Sequence, residues 1–233
     1  MRRKTLILFD VGAVLIKLSY GDFYREAAKH STLDVHAIEK AFLESSLDDR
    51  TNRGDINAAQ FFSELRSCLE LSKSLTEEQL EEIVGHKFPG EIAEMIDLKR
   101  ELHEAGYAVG VLSNIGEEAH RILECRYPEI FAVYDRRNPA ILSYQMKAMK
   151  PDPRVYDAIT GFERIIFIDD KDKYLQVGIN RGWKGIHFTQ YPDETEPQRK
   201  SHSDTGYTNE NIRRANSLAE VKKALNDFGV KIE

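Results

Sequence analysis

The chain has 233 residues, enough for one or two domains, and its 41% apolar and 31% charged side chains suit a globular protein rather than a disordered or fibrous one. Thirty-three Lys and Arg against thirty-nine Asp and Glu leave a net charge of −6, which argues against a nucleic-acid backbone as partner. Cys68 and Cys125 lie far apart with no Cys-x-x-Cys or Cys/His spacing, so two buried thiols in a reducing, cytoplasmic compartment are expected rather than a disulfide framework or a structural zinc site.

Met1-Arg2-Arg3-Lys4 followed by Thr5-Leu6-Ile7-Leu8-Phe9 imitates the start of a signal peptide, but Asp10 interrupts the apolar run and no small-residue cleavage site follows. A buried first strand is the better reading. No stretch of about 18 apolar residues occurs, so no membrane span is expected. After Val14, about 75 residues of helical patterning precede the helix that begins near Gly90. They carry the stripes Val35, Ile38, Phe42 and Phe61, Phe62, Leu65, Leu69, then a Thr76-x-x-Gln79 capping box before Leu80 and Ile83. The expectation is a helical subdomain over residues 17–88, inserted after strand one into a core made of residues 1–16 and 89–233.

The core pattern then alternates. Ile92, Met95, Ile96 and Leu102 form one helical stripe stopped by Gly106. Apolar runs at 108–112, 165–168 and 185–188, with 140–142 as a possible fifth strand, lack polar alternation, as strands buried on both faces of a parallel sheet do. Residues 190–216 hold few apolar side chains and many turn formers, which predicts a long loop, and a last helix starts at Ser217-x-x-Glu220 and ends near Gly229. The fold class expected is α/β: a Rossmann-like, mostly parallel sheet with helices on both faces and a helical cap.

Ligands of such sheets bind beyond the carboxyl ends of the strands. There the sequence places Asp10, Ser113-Asn114 and Asp169-Asp170, with Lys150 just before a further helix. Carboxylate oxygens suit Mg²⁺ together with a substrate phosphate. A carboxylate nucleophile at Asp10 would split phosphate-ester hydrolysis into two steps, with cationic groups neutralising the transferring phosphoryl. Each acid also has a plainer use, closing a strand or capping a turn or helix.

These residues resemble the haloacid dehalogenase-like (HAD) phosphohydrolases. The resemblance rests on Phe9-Asp10-Val11-Gly12-Ala13-Val14-Leu15, Leu112-Ser113-Asn114, Lys150-Pro151-Asp152-Pro153 with Tyr156, and Phe167-Ile168-Asp169-Asp170, in that order. Arg53-Gly54-Asp55-Ile56 and Tyr127-Pro128-Glu129-Ile130 are similar to segments of the glucose-1-phosphate phosphatase-like subgroup. The resemblance implies a Rossmann-like core with a cap. It makes Asp10 the nucleophile and a metal ligand, with the Gly12 carbonyl, Asp170, and Asp169 directly or through water as the other protein ligands. It gives phosphate to Ser113, Asn114 and Lys150, and a catalytic partnership with Asp10 to Lys150.

Two positions depart from the family pattern. Gly12 replaces the usual general acid/base aspartate, a loss worth about 10²- to 10⁴-fold in rate, and Tyr174 stands where many relatives carry asparagine. The implied activity is Mg²⁺-dependent hydrolysis of a small phosphorylated metabolite, a sugar phosphate among the candidates, through an aspartyl-phosphate. The alternative is a catalytically weak or silent relative that binds a ligand or a protein. A metal-free dehalogenase fits the acidic pair less well. Among cap side chains, Tyr20, Arg50 and Arg53 are the candidates for choosing the substrate.

Overall fold

Strand β1 (Thr5–Phe9) is buried along its whole length, as its unbroken apolar run requires. In the computed structural model, which describes residues 4–132, 139–190 and 210–232, β1 lies inside a six-stranded sheet of order β3-β2-β1-β4-β5-β6. The other strands are β2 (Ala108–Ser113), β3 (Ala140–Leu142), β4 (Arg164–Asp169), β5 (Lys184–Phe188) and β6 (Ile212–Ala215). Every neighbouring pair is parallel. The order reverses at β1, which has β2 on one side and β4 on the other, and such a switch point opens a crevice at the carboxyl ends of the strands.

Alternate β1 side chains enter different cores because successive strand residues face opposite ways. Ile7 and Phe9 join a large cluster with Met95 and Leu102 of α6 (Ala93–Glu104) and Val221 and Leu225 of α11 (Leu218–Asp227). Leu6 and Leu8 join a smaller one with Tyr156 of α9 (Pro153–Asp157), Leu175 of α10 (Asp172–Ile179) and Trp183. The sheet is therefore covered on both faces, as the sequence pattern foretells.

Five helices stand between β1 and α6: α1 (Tyr20–Ala28), α2 (Val35–Ser45), α3 (Leu47–Asn52), α4 (Ala58–Cys68) and α5 (Glu77–Gly85). The foreseen Thr76/Gln79 capping box starts α5, and an Asn57/Gln60 box starts α4. Phe23 and Phe42 join α1 to α2 with ring centroids 5.0 Å apart, edge to face. Val35, expected on the apolar stripe of α2, stays 41% exposed.

A polar seam fastens this helical segment to the sheet. The Ser143 hydroxyl, at the start of α8 (Ser143–Met146), bonds the Asn52 carbonyl and accepts the Ile115 N–H at 2.9 Å. Lys147 donates to the Gly54 carbonyl, and the Ala58 N–H reaches Glu117 of α7 (Glu117–Arg126) at 2.8 Å. Gly54 has φ +72, and a Cβ there would collide with the Tyr144 carbonyl, so this turn needs glycine twice over.

Two expectations are corrected. Part of the loop foreseen over 190–216 is strand β6, an edge strand whose charged Arg213 and Arg214 hide its period; residues 191–209 lie outside the described residues. Cys125 is exposed rather than buried, because it falls on the outer face of α7, whereas Cys68 is half-buried and burial pushes its thiol up. Among the described residues no helix is long and apolar enough to cross a membrane.

Candidate active site at the carboxyl ends of the strands

Register brings the acids together. Phe9 of β1 pairs with Ile168 of β4, and the Asp10 N–H donates to the Ile168 carbonyl at 2.9 Å, so Asp10 and Asp169 leave neighbouring strands side by side. Asp10, Asp169 and Asp170 each offer a carboxylate oxygen, and these oxygens all lie within 4.8 Å of one another. The Val11 N–H bonds Asp10 Oδ1 at 2.7 Å and the Lys171 N–H bonds Asp169 Oδ1 at 2.8 Å, fixing both carboxylates. His187 on β5 contacts the Asp170 carbonyl through Nε2 at 2.9 Å and steadies that turn.

Lys150 enters from the segment between α8 and α9. Its ammonium lies 2.6 Å from Asp169 Oδ2 and 3.0 Å from Asp10 Oδ2, and the residue is 2% exposed. Phe167 and Tyr174 flank it with ring centroids at 5.2 and 4.9 Å. Burial works against the Lys150 charge, but Asp10 and Asp169 outweigh it and hold the ammonium above its ordinary range.

The acids respond in the opposite sense. Burial, only partly offset by Lys150, pushes Asp169 up to about 6. Burial together with the charges of Asp169 and Asp10 raises Asp170 well above the usual carboxylate range. Three carboxylates against one ammonium leave an excess of negative charge in a dry place, and a hard divalent cation with oxygen ligands is what would relieve it. The donor set fits such an ion.

Ser113, 3% exposed, ends β2, and Gly12 with Asn114 lines the crevice beside Val11. The Asn114 side chain is already engaged: Oδ1 accepts the Lys150 N–H at 2.6 Å and Nδ2 donates to the Lys150 carbonyl at 3.0 Å. Its side chain therefore positions the lysine segment. The Tyr174 hydroxyl lies 3.4 Å from the same Nδ2, so Tyr174 supports Asn114 and the Lys150 segment together. At Gly12, a Cβ would stand 3.0 Å from Leu18 Cδ1, so any side chain there has to displace Leu18.

Of Tyr20, Arg50 and Arg53, the three candidates offered by the sequence for choosing the substrate, Tyr20 alone is among the residues that line the crevice. Arg50 is drawn to Glu64 by two hydrogen bonds of 2.5 and 3.0 Å, and exposed Arg53 pairs with Asp55 at 3.5 Å. Sequence reasoning missed Asp48, Asn52, Lys87 and Glu118, which line the same opening. Glu118 sits in the first turn of α7, where acids are common helix formers' companions, and Lys87 follows α5 with no motif around it, so neither carried a signal.

No protein-family model and no curated protein matches the sequence. Among solved structures, the chain is similar to a HAD family enzyme from Bacteroides thetaiotaomicron in complex with magnesium and inorganic phosphate, at 23% identity and TM-score 0.67 over 83% of this chain and 97% of that one. It is also similar to an L-2-haloacid dehalogenase, at 17% identity and TM-score 0.61 over 96% and 99% of the two chains. A third is a HAD phosphatase from Thermococcus onnurineus, at 16% identity and TM-score 0.63 over 98% and 100%. Likeness at these identities establishes the fold, the α/β sheet common to these enzymes.

Proposed function

We propose that this chain is a HAD-like hydrolase that uses Mg²⁺ to hydrolyse a small phosphomonoester through an aspartyl-phosphate on Asp10. One observation carries the reading: Asp10, Asp169 and Asp170 gather on adjoining strand ends, with the Lys150 ammonium bridging two of them. The presence of magnesium and phosphate in a protein of the same fold supports it. Residues 17–88 act as the cap.

In the reading proposed, the Asp10 carboxylate attacks phosphorus, the bond from phosphorus to the ester oxygen breaks, and that oxygen leaves with the electron pair and takes up a proton. Water then attacks the same phosphorus, releasing inorganic phosphate and restoring the carboxylate. Lys150 aims Asp10 and offsets the charge of the phosphoryl oxygens, with Ser113 and the backbone at Asn114 as further partners. Asp10, Asp170, the Gly12 carbonyl, and Asp169 directly or through water, would hold magnesium, which would supply charge neutralisation at the phosphoryl group.

Because Gly12 offers no acid, leaving groups more acidic than an ordinary alcohol are favoured, the anomeric hydroxyl of a sugar 1-phosphate being one. This agrees with the resemblance to the glucose-1-phosphate phosphatase-like subgroup. Dehalogenation needs no metal and gives the Asp169-Asp170 pair nothing to hold. The test is a phosphate-release screen over a metabolite panel with Mg²⁺ or chelator, run beside Asp10→Asn. Release abolished by both chelator and substitution supports the phosphatase; metal binding without any release favours the silent binding module instead.

A further inference from the structure

A pocket beside Gly12, Ser113 and Asn114, the residues that follow or end strands β1 and β2, has a composition that the reaction itself does not explain. A cavity of about 80 Å³ opens there, with Gly12 and Asn114 on the sheet side and Asp48, Asn52, Lys87 and Glu118 among the residues that close it. Lys87 is 4% exposed and its ammonium lies 2.7 Å from Asp48 Oδ1. The ring of Tyr20 stands 4.8 Å from that ammonium, and those of Phe42 and Phe88 are at 5.6 and 5.8 Å. Glu118, 1% exposed, accepts a hydrogen bond from the Thr51 hydroxyl across the seam between α3 and α7. It can lie there because residue 116 is glycine: a Cβ on Gly116 would collide with the Glu118 carboxyl and the Thr51 hydroxyl.

We infer that this pocket receives the leaving group of the phosphate ester and that Asp48, Lys87 and Glu118 select an uncharged, hydroxyl-bearing one. The inference rests on the phosphatase reading and adds a substrate class to it.

Charge and hydrogen-bonding capacity argue it. Lys87 is already matched by Asp48, and burial holds the Glu118 carboxyl above its ordinary range, toward the neutral form. A carboxylate arriving on the leaving group would meet the Asp48 carboxylate beside a cation that Asp48 already matches, and a primary ammonium would meet Lys87. Hydroxyls escape both conflicts because each donates and accepts. The ammonium of Lys87 carries three N–H donors, of which one is directed at Asp48, while Asn52 supplies an amide with both functions. Buried polar groups left unpaired by a leaving group without hydroxyls are costly, which is how such a pocket rejects one.

Size adds a limit. At about 80 Å³ the cavity is roughly half the volume of one that holds benzene, so about three or four heavy atoms next to the phosphate are enclosed. The part of the substrate nearest the scissile bond is thus the part that is read, a short run of hydroxylated carbons.

The test measures kcat/KM with Mg²⁺ for glycerol phosphate and hexose 1-phosphates, for phosphoglycolate and phosphoethanolamine, and for p-nitrophenyl phosphate. At least one hydroxylated ester is expected to exceed the carboxylated and amino esters about tenfold or more, the scale of one mismatched polar contact. Within each preparation the ratio of that ester to p-nitrophenyl phosphate is then followed, so that any unfolded fraction cancels. Asp48→Asn and Lys87→Met are expected to lower this ratio about tenfold through KM, and Glu118→Ala to lower it more than Glu118→Gln does. A carboxylated or amino ester as the best substrate, or ratios unmoved by all of these substitutions, would overturn the inference while leaving the phosphatase standing. No turnover of any ester, p-nitrophenyl phosphate included, would remove the phosphatase reading and the inference with it.

Discussion

On the sheet side of the crevice Lys150 shares its ammonium between Asp169 at 2.6 Å and Asp10 at 3.0 Å, while on the helical side Lys87 meets a single partner, Asp48, at 2.7 Å. The first lysine pairs with two of three clustered carboxylates, and the second is balanced one for one and boxed in by aromatic rings. The sheet side therefore carries surplus negative charge fit for a cation and a phosphoryl group. The helical side carries none, and suits a neutral polar guest. In the reading proposed, one wall serves the chemistry and the other the choice of substrate, and the two can be perturbed separately.

The largest separation is expected at Asp10. Asp10→Asn should reduce phosphate release by roughly 10³-fold or more, since a lost nucleophile is not replaced by its neighbours, while circular dichroism and urea unfolding stay close to those of the unaltered protein. Stability sharpens the comparison next. Lys150→Met, measured by urea unfolding in chelator, should cost about 3–5 kcal/mol, because buried carboxylates are left unpaired. Lys87→Met should cost less, about 1–3 kcal/mol, because the Asp48 side chain it leaves behind is 22% exposed and water can reach it. Equal losses at the two lysines would contradict the contrast drawn between the walls.

The seam joining the walls is tested by Gly54→Ala. The left-handed backbone alone costs about 1–2 kcal/mol for a residue with a Cβ, and the Tyr144 carbonyl adds to it. The loss appears in the same unfolding measurement. Glu118 gives the smallest effect and a defined sign. Its folded pKa is raised above the ordinary carboxyl range, chiefly by burial, so the stability it contributes is present below that range and is lost as pH rises through the folded value. Glu118→Gln should match the unaltered protein near pH 4 and become the more stable of the two toward pH 8, read as the difference in urea midpoints.

How much of this was legible in the sequence follows the same division. Asp10, Ser113, Asp169 and Asp170 each close a buried strand, and a polar residue ending an apolar run is visible without coordinates. Lys150 was marked by its Pro-rich surroundings and the order of the motifs. Asn114 was found but its engagement with the Lys150 backbone was not, since the two are 36 residues apart and only the fold joins them. Asp48, Asn52, Lys87 and Glu118 sit on helices or just past one, where charged residues are ordinary, and their convergence depends on how α3 docks on α7. Strand β6 was hidden by its arginines, one of which lies 5.1 Å over the Phe228 ring rather than in solvent alone.

The central claim is that Asp10 becomes phosphorylated, and mass spectrometry of the acid-quenched protein tests it most directly. After brief mixing with p-nitrophenyl phosphate and Mg²⁺, the peptide containing residue 10 should carry one phosphate, absent with chelator and absent in Asp10→Asn. Steady release of inorganic phosphate with no adduct on that peptide, or an adduct that persists in Asp10→Asn, would contradict the account.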